Sequence, residues 1–182
     1  MLVAYEKVIP HLDKQRLLAL LADGTRPDGR GLDEYRDVKI ETGYITSANG
    51  SALVSIGNTK VICGIKVEIG TPFEDTPEMG VLSVNTELLP LASPTFELGP
   101  PDENAIELAR IVDRGLRESK CLSLEKLCLV PGQKVWIIWN DIYVLDYDGN
   151  LPDASMLASL AALSTTKMPK AKVENGNVTV LD

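Results

Sequence analysis

The chain has one histidine, His11, among 182 residues. A Ser-His-Asp or Cys-His mechanism must route through that imidazole, which lies near the N-terminus, far in sequence from every other candidate group. The cysteines are Cys63, Cys121 and Cys128, an odd number without metal-ligand spacing. Neither a disulfide framework nor a zinc site is expected, and a reducing intracellular compartment fits best. No apolar run approaches the length of a membrane span. The opening MLVAYEKVIPHLDKQ is charged within its first residues and has no signal-peptide core. GxGxxG, Walker A, HExxH and GxSxG patterns are missing. Positive charge is also scarce: 18 Lys and Arg stand against 26 Asp and Glu, a net charge of -8. That excludes a whole-molecule attraction to nucleic acid. Any contact with RNA or DNA must come from a local basic patch, or from a complex whose other chains add positive charge.

What is present is the composition of a soluble globular protein, 45% hydrophobic and 24% charged. The length suffices for one domain with a real core or for two small lobes. Apolar spacing from Val3 to Leu21 predicts an amphipathic helix begun or interrupted at Pro10, followed by a turn-rich charged loop from Asp23 to Gly31. The period then changes to two. Val38–Thr42, Ser51–Ile56 and Lys60–Ile69 predict three antiparallel strands joined by short turns, Asn49-Gly50 being a strong turn signal. Val81–Leu89 reads as a fourth strand. Pro90, Pro94, Pro100 and Pro101 make the next connection rigid. A helix is expected from about Glu103 to Lys120, capped by Asp102. Leu122–Val130 fits either helix or strand. Lys134–Leu145 reads as a central strand, Asp153–Thr165 as an Ala-rich helix with Asp153 as its cap, and Met168–Asp182 as a linker with one further strand. The order predicts an α+β fold with helices against one face of a sheet.

The sharpest local signal is Gly99–Lys120, GPPDENAIELARIVDRGLRESK. Arg110, Arg114 and Arg117 recur at i, i+4 and i+7, so one helical face carries all three, opposite an apolar stripe of Ala105, Leu108, Ala109, Val112 and Leu116. A row of guanidinium groups suits a phosphate backbone. The competing reading is a solvated face tied by local pairs, with Glu107 reaching Arg110, and Asp113 or Glu118 reaching Arg114 and Arg117. Asp141, Asp146, Asp148 and Asp153 form an acidic set, but DYDGN at 146–150 lacks the ligand spacing of a calcium loop and reads as a turn. Asp141 sits in an apolar strand and, if buried, needs a partner. Trp136 and Trp139 fall on opposite sides of one strand, so core packing is expected rather than a stacking platform.

Several strings together resemble a known family. RPDGR at 26–30, GSALVSIGNT at 50–59, LASPTFELGPPDENAIELARIVDRGLRES at 91–119 and DYDGNLPDASMLASLAAL at 146–163 look like the RNase PH-type subunits of the RNA exosome, closest to the archaeal ring subunits that lack an active centre. The resemblance runs from about residue 20 to 170. It implies the RNase PH fold, related to ribosomal protein S5 domain 2, for 23–182, with 1–22 as an N-terminal helix. It implies a ring of alternating catalytic and non-catalytic subunits that degrades RNA from its 3′ end by phosphorolysis. In such a subunit, Arg110 and Arg114, with Arg117 as an addition, would hold RNA for the catalytic RNase PH-like partner. S1/KH-type cap proteins, a cytoplasmic location and no cofactor are further implications. Catalytic members carry a Gly-Thr-Arg phosphate-holding element before the last helix. Here the matching Gly149-Asn150-Leu151-Pro152-Asp153 offers neither the hydroxyl nor the guanidinium, and Pro152 removes a backbone donor. The family's catalytic aspartates would lie beyond Asp182, and the fold is expected to lack its C-terminal part. An active phosphorolytic exoribonuclease and a pure ring scaffold without RNA contact are the alternative functions. The eukaryotic counterparts are the nearest family alternative.

Overall fold

A computed structural model describes residues 11–174 and 176–181. The expected helical positions Val3 and Val8 lie outside them. Two compact units divide at Arg36 and Asp37. The first holds helix α1 (His11–Ala22) and the charged loop that follows. In that loop Arg26 donates to the carbonyls of Gly31 and Leu32, and Arg30 pairs with Asp28 and donates to the Glu34 carbonyl. The turn is thus closed by its own guanidinium groups.

The second unit is built on one mixed sheet. Its strands are β1 (Val38–Thr42), β2 (Gly50–Ile56), β3 (Thr59–Gly70), β4 (Val81–Leu88), β5 (Cys128–Val130) and β6 (Lys134–Asp146). The spatial order is β1-β2-β3-β6-β4, with β5 also paired to β6. The first three strands form the expected antiparallel meander. β6 pairs antiparallel to β3 and parallel to β4. A parallel neighbour needs a long crossover, and helix α2 (Glu103–Glu118) supplies it between β4 and β6.

Alternation along these strands sets the core. Val54, Val61 and Val144 lie in one cross-strand row, and Ala52, Cys63, Ile142 and Thr86 in the next. All face one side and all are buried. Helix α3 (Leu151–Ser164) packs against this side with small residues, Ala154, Ala158 and Ala162. Small side chains let a helix lie close to a sheet. α2 buries Ala105, Leu108, Val112 and Leu116 beside β4 and α3. Both helices therefore cover the same face, as the pattern predicts.

Asn140 is the polar exception, fully buried in this layer. Its amide nitrogen donates to Ser159 Oγ at 3.0 Å, and its Oδ1 accepts from the Cys63 thiol at 2.6 Å. Each partner satisfies a group that would otherwise cost free energy to bury.

The structure corrects three boundaries. Met168–Asp182 contributes two strands, not one: β7 (Lys170–Glu174) and β8 (Asn177–Leu181) form a separate antiparallel hairpin. Gly176, with φ of 79°, makes the tight turn that a polar stretch of sequence concealed. α3 begins at Leu151, so Pro152 sits in the first turn, where its missing N–H costs nothing. Asp153 is therefore inside the helix, and its carboxylate accepts from the Asn150 side chain at 2.9 Å. Leu122–Val130 divides between a 3₁₀ turn, Leu124–Leu127, and β5. Asp141 has the partner its half-buried position requires, accepting from Asn85 Nδ2 at 3.0 Å. Residues 146–150 form a turn in which Thr59 Oγ1 donates to the Gly149 carbonyl and accepts from the Asp148 amide.

Burial pushes the Cys63 thiol up to about 12 from an ordinary 9.0, with Asp141 adding to the rise and Ser159 opposing it. The thiol stays protonated in the fold at pH values where an unfolded chain has lost the proton. Its contribution to stability is complete below about pH 9 and is lost as pH rises towards 12. Urea midpoints of the native chain and Cys63→Ser should therefore differ by a constant amount at neutral pH, and that difference should change above pH 9. A difference independent of pH up to the alkaline limit would contradict this account.

Candidate nucleic-acid interface

The arginine-bearing helix is set up by its first residues. Asp102 is extended (φ -77°, ψ 179°), and its carboxylate accepts from the Ala105 amide at 2.8 Å. Asn104 donates to the other oxygen of the same carboxylate at 3.1 Å, holding the cap in place. Glu103 in the first turn and Arg117 in the last complement the helix dipole. The helix stops where Lys120 turns into the left-handed region, φ 53°. Near its C-terminal end, Gly115 removes a side chain where α2 meets α3: a Cβ there would overlap the methyl of Met156. The buried stripe of α2 faces the sheet and α3, leaving the arginine face to solvent.

Arg110, Arg114 and Arg117 all line one open groove of about 1050 Å³ between α2 and β4. The structure brings the predicted residues together but does not treat them alike. Arg117 is committed: its Nε lies 2.9 and 2.8 Å from the two Asp113 oxygens, and its Nη2 donates to the Leu82 carbonyl at 2.6 Å. Arg110 and Arg114 are exposed. Among the described residues, neither side chain makes a hydrogen bond or an ion pair within the chain. The local pairs Glu107–Arg110 and Glu118–Arg114 allowed by the spacing do not form, although both glutamates line the groove.

The groove's other wall was hidden from sequence reasoning. It consists of Val84, Asn85 and Thr86 on β4. These residues lie well before the helix in sequence, and only the parallel pairing of β4 with β6 places them beside it. They fall in the segment expected as a fourth strand, but nothing in their spacing pointed to the arginines. Thr86 Oγ1 is buried there without a hydrogen-bond partner among the described residues. No group of three or more His, Cys, Asp or Glu among the described residues is placed to hold a metal ion. The available chemistry is that of two exposed guanidinium groups, one turn apart, beside a polar strand edge.

The cap gives a direct test of how this helix is held. Asp102→Ala removes the acceptor for the Ala105 amide and should cost about 1 kcal/mol of stability. Chemical denaturation would read the cost, and amide exchange should locate the added fraying in the first turn of α2. Unchanged exchange in that turn would show that the cap is dispensable.

Residues 34–169 match the RNase PH family model, described as 3′ exoribonuclease family, domain 1. The chain is 53% identical over 173 residues to the exosome complex component Rrp42 of Methanothermobacter thermautotrophicus, covering 95% of this chain and 64% of that protein. It is 54% identical over 178 residues to Rrp42 of Thermococcus gammatolerans, covering 97% and 65%. The chain thus spans just under two thirds of the length of these relatives. A structure of the Archaeoglobus fulgidus exosome with RNA bound to the active site contains a chain that superposes with a TM-score of 0.83 at 56% identity, over 87% of this chain and 62% of that one. An archaeal exosome core contains another, with a TM-score of 0.78 at 48% identity, over 93% and 64%. With the family model matched across most of its length and the fold shared with archaeal exosome subunits, the chain belongs to the RNase PH family of 3′ exoribonuclease domains.

Proposed function

We propose that this chain serves an archaeal-type exosome ring as a subunit that holds RNA without supplying the phosphorolytic centre. The observation that carries the reading is the state of α2: Arg110 and Arg114 are exposed and unpaired beside an open groove, while Arg117 is tied down. Unpaired guanidinium groups keep their donors for a ligand. Two of them one turn apart can meet successive oxygens of a phosphodiester chain. Such contacts hold the strand and carry little base preference, as the degradation of varied RNA requires.

The first turn of α3 supports a non-catalytic role. A helix N-terminus can hold phosphate, but here Pro152 removes a donor and Asp153 puts a carboxylate in the same turn. Asn150, at the cap, gives its side-chain amide to that carboxylate. Among its own residues, Gly149 to Asp153, that turn offers inorganic phosphate a negative charge and no arginine. The nucleophile and its clamp then belong to a catalytic RNase PH-like partner subunit. S1/KH-type cap proteins would bring RNA to the ring, and the assembly would work in the cytoplasm. The acidic chain fits this division, because it needs only a local positive face and the partner adds the remainder.

The test is co-assembly with an RNase PH-like catalytic subunit, followed by RNA binding and phosphate-dependent degradation. Arg110→Ala with Arg114→Ala should weaken binding of single-stranded RNA. It should also reduce the slope of log affinity against log salt by about 1.4, roughly 0.7 for each lost phosphate contact. Unchanged affinity and slope would leave the chain a scaffold. Nucleoside diphosphate released by the chain alone, in the presence of phosphate, would make it an enzyme in its own right.

A further inference from the structure

The one arginine of the row that is not free carries a separate inference, which rests on the RNA-holding reading above. We propose that Arg117 is the positioning residue of this site: it fastens the C-terminal half of α2 to β4 and so fixes where Arg110 and Arg114 meet phosphate.

Among the described residues β4 is the last strand of its sheet, hydrogen-bonded in the ladder only to β6. An edge strand leaves backbone groups unpaired along its outer side. Leu82 is one of its core residues, 3% exposed, and its carbonyl accepts the Arg117 Nη2 at 2.6 Å. The contact spans 35 positions in sequence and joins the helix to the strand that forms the opposite wall of the groove. Asp113, one turn back on α2, receives the Nε and orients the guanidinium towards that carbonyl. A guanidinium with fixed planar donors can bridge two such acceptors, and a lysine ammonium on a flexible stem cannot reproduce the fork.

Charge points the same way. Arg117 and Asp113 are an ion pair at 2.8 Å, with side chains 40% and 32% exposed. The pair presents little net charge to a passing phosphate. To bind phosphate itself, Arg117 would have to share its donors with the carboxylate and the carbonyl. Arg110 and Arg114 have no such commitments. They lie within two helical turns of Arg117, on a helix that moves as a rigid body over that length. A rotation or slide of α2 at Arg117 is therefore passed on to both. The buried stripe of Ala105, Leu108, Val112 and Leu116 holds α2 on the sheet and α3 through non-directional apolar contact, and the charged fork at Arg117 adds the directional one.

A charge-conserving substitution separates the two roles. In the assembled complex, with a labelled oligoadenylate as probe, Arg117→Lys should weaken binding roughly tenfold, about 1.4 kcal/mol. The salt slope should stay at the wild-type value, because the number of phosphates contacted is unchanged. Asp113→Asn should also weaken binding, since the guanidinium loses the group that aims it. If Arg117 were a direct phosphate ligand, Arg117→Lys would keep most of the affinity, and Asp113→Asn would raise both affinity and slope. Either result overturns the proposal. Amide exchange on the RNA-free protein gives a second reading. Arg117→Lys should speed exchange across the C-terminal half of α2 while the global unfolding midpoint stays close to wild type. Unchanged exchange there rejects the fastening role whether or not RNA is bound. Failure of Arg110→Ala with Arg114→Ala to affect RNA binding, with the exchange effect present, would reject the RNA site and leave the fastening intact.

Discussion

The parallel pairing of β4 with β6 is the constraint on which the rest of this fold depends. Two parallel neighbours cannot be joined by a tight turn, so the chain must leave the sheet, cross its face and return. That excursion is α2. Its apolar stripe is held down by the same layer of Val, Ile and Ala that packs α3. With the buried side fixed, the arginine face has only one direction to point. The groove between α2 and the β4 edge is then a by-product of topology, and its two walls come from segments that sequence keeps well apart.

Electrostatics divides this groove into a neutralised end and an open end. Arg117 is matched by Asp113, while Arg110 and Arg114 stand beside glutamates that do not reach them. At the surface such near misses are common, since holding two long side chains together gains little in water. Their effect is that two positive charges remain available on a chain whose net charge is -8. The attraction is short-ranged and local. Approach of any polyanion to the isolated chain is opposed by the bulk of that net charge.

Much of this was legible in the sequence, and for identifiable reasons. Asp102 after Pro100 and Pro101 announced the start of α2, and the structure shows that carboxylate on the Ala105 amide. β-Branched residues in Lys60–Ile69 and the nearly continuous apolar run of Lys134–Leu145 marked these two strands, and the buried rows of Val61, Cys63, Ile142 and Val144 lie on them. Where local pattern was weak, the outcome depended on distant partners. The hairpin of β7 and β8 needed each strand to find the other across Gly176. The start of α3 turned on Pro152, which is tolerated only within a first turn. The fate of Arg117 turned on a carbonyl of Leu82, and no backbone acceptor can be read from residue types. The family was legible by resemblance, from four strings taken together, with GPPDEN and the arginine helix among the specific ones.

The chain of polar groups from Cys63 through Asn140 to Ser159 has a consequence for alignment rather than for strength. α3 is apolar nearly all round, and its small residues would allow it to slide or turn on the sheet with little change in buried area. A shift by one residue rotates a helix by about 100°. That would take Ser159 away from Asn140 and leave a buried amide N–H and a buried hydroxyl without each other as partners. The network therefore acts as an index mark between two smooth surfaces. It makes one docking of α3 distinct from its near neighbours, at the cost of placing an amide in the driest layer of the protein.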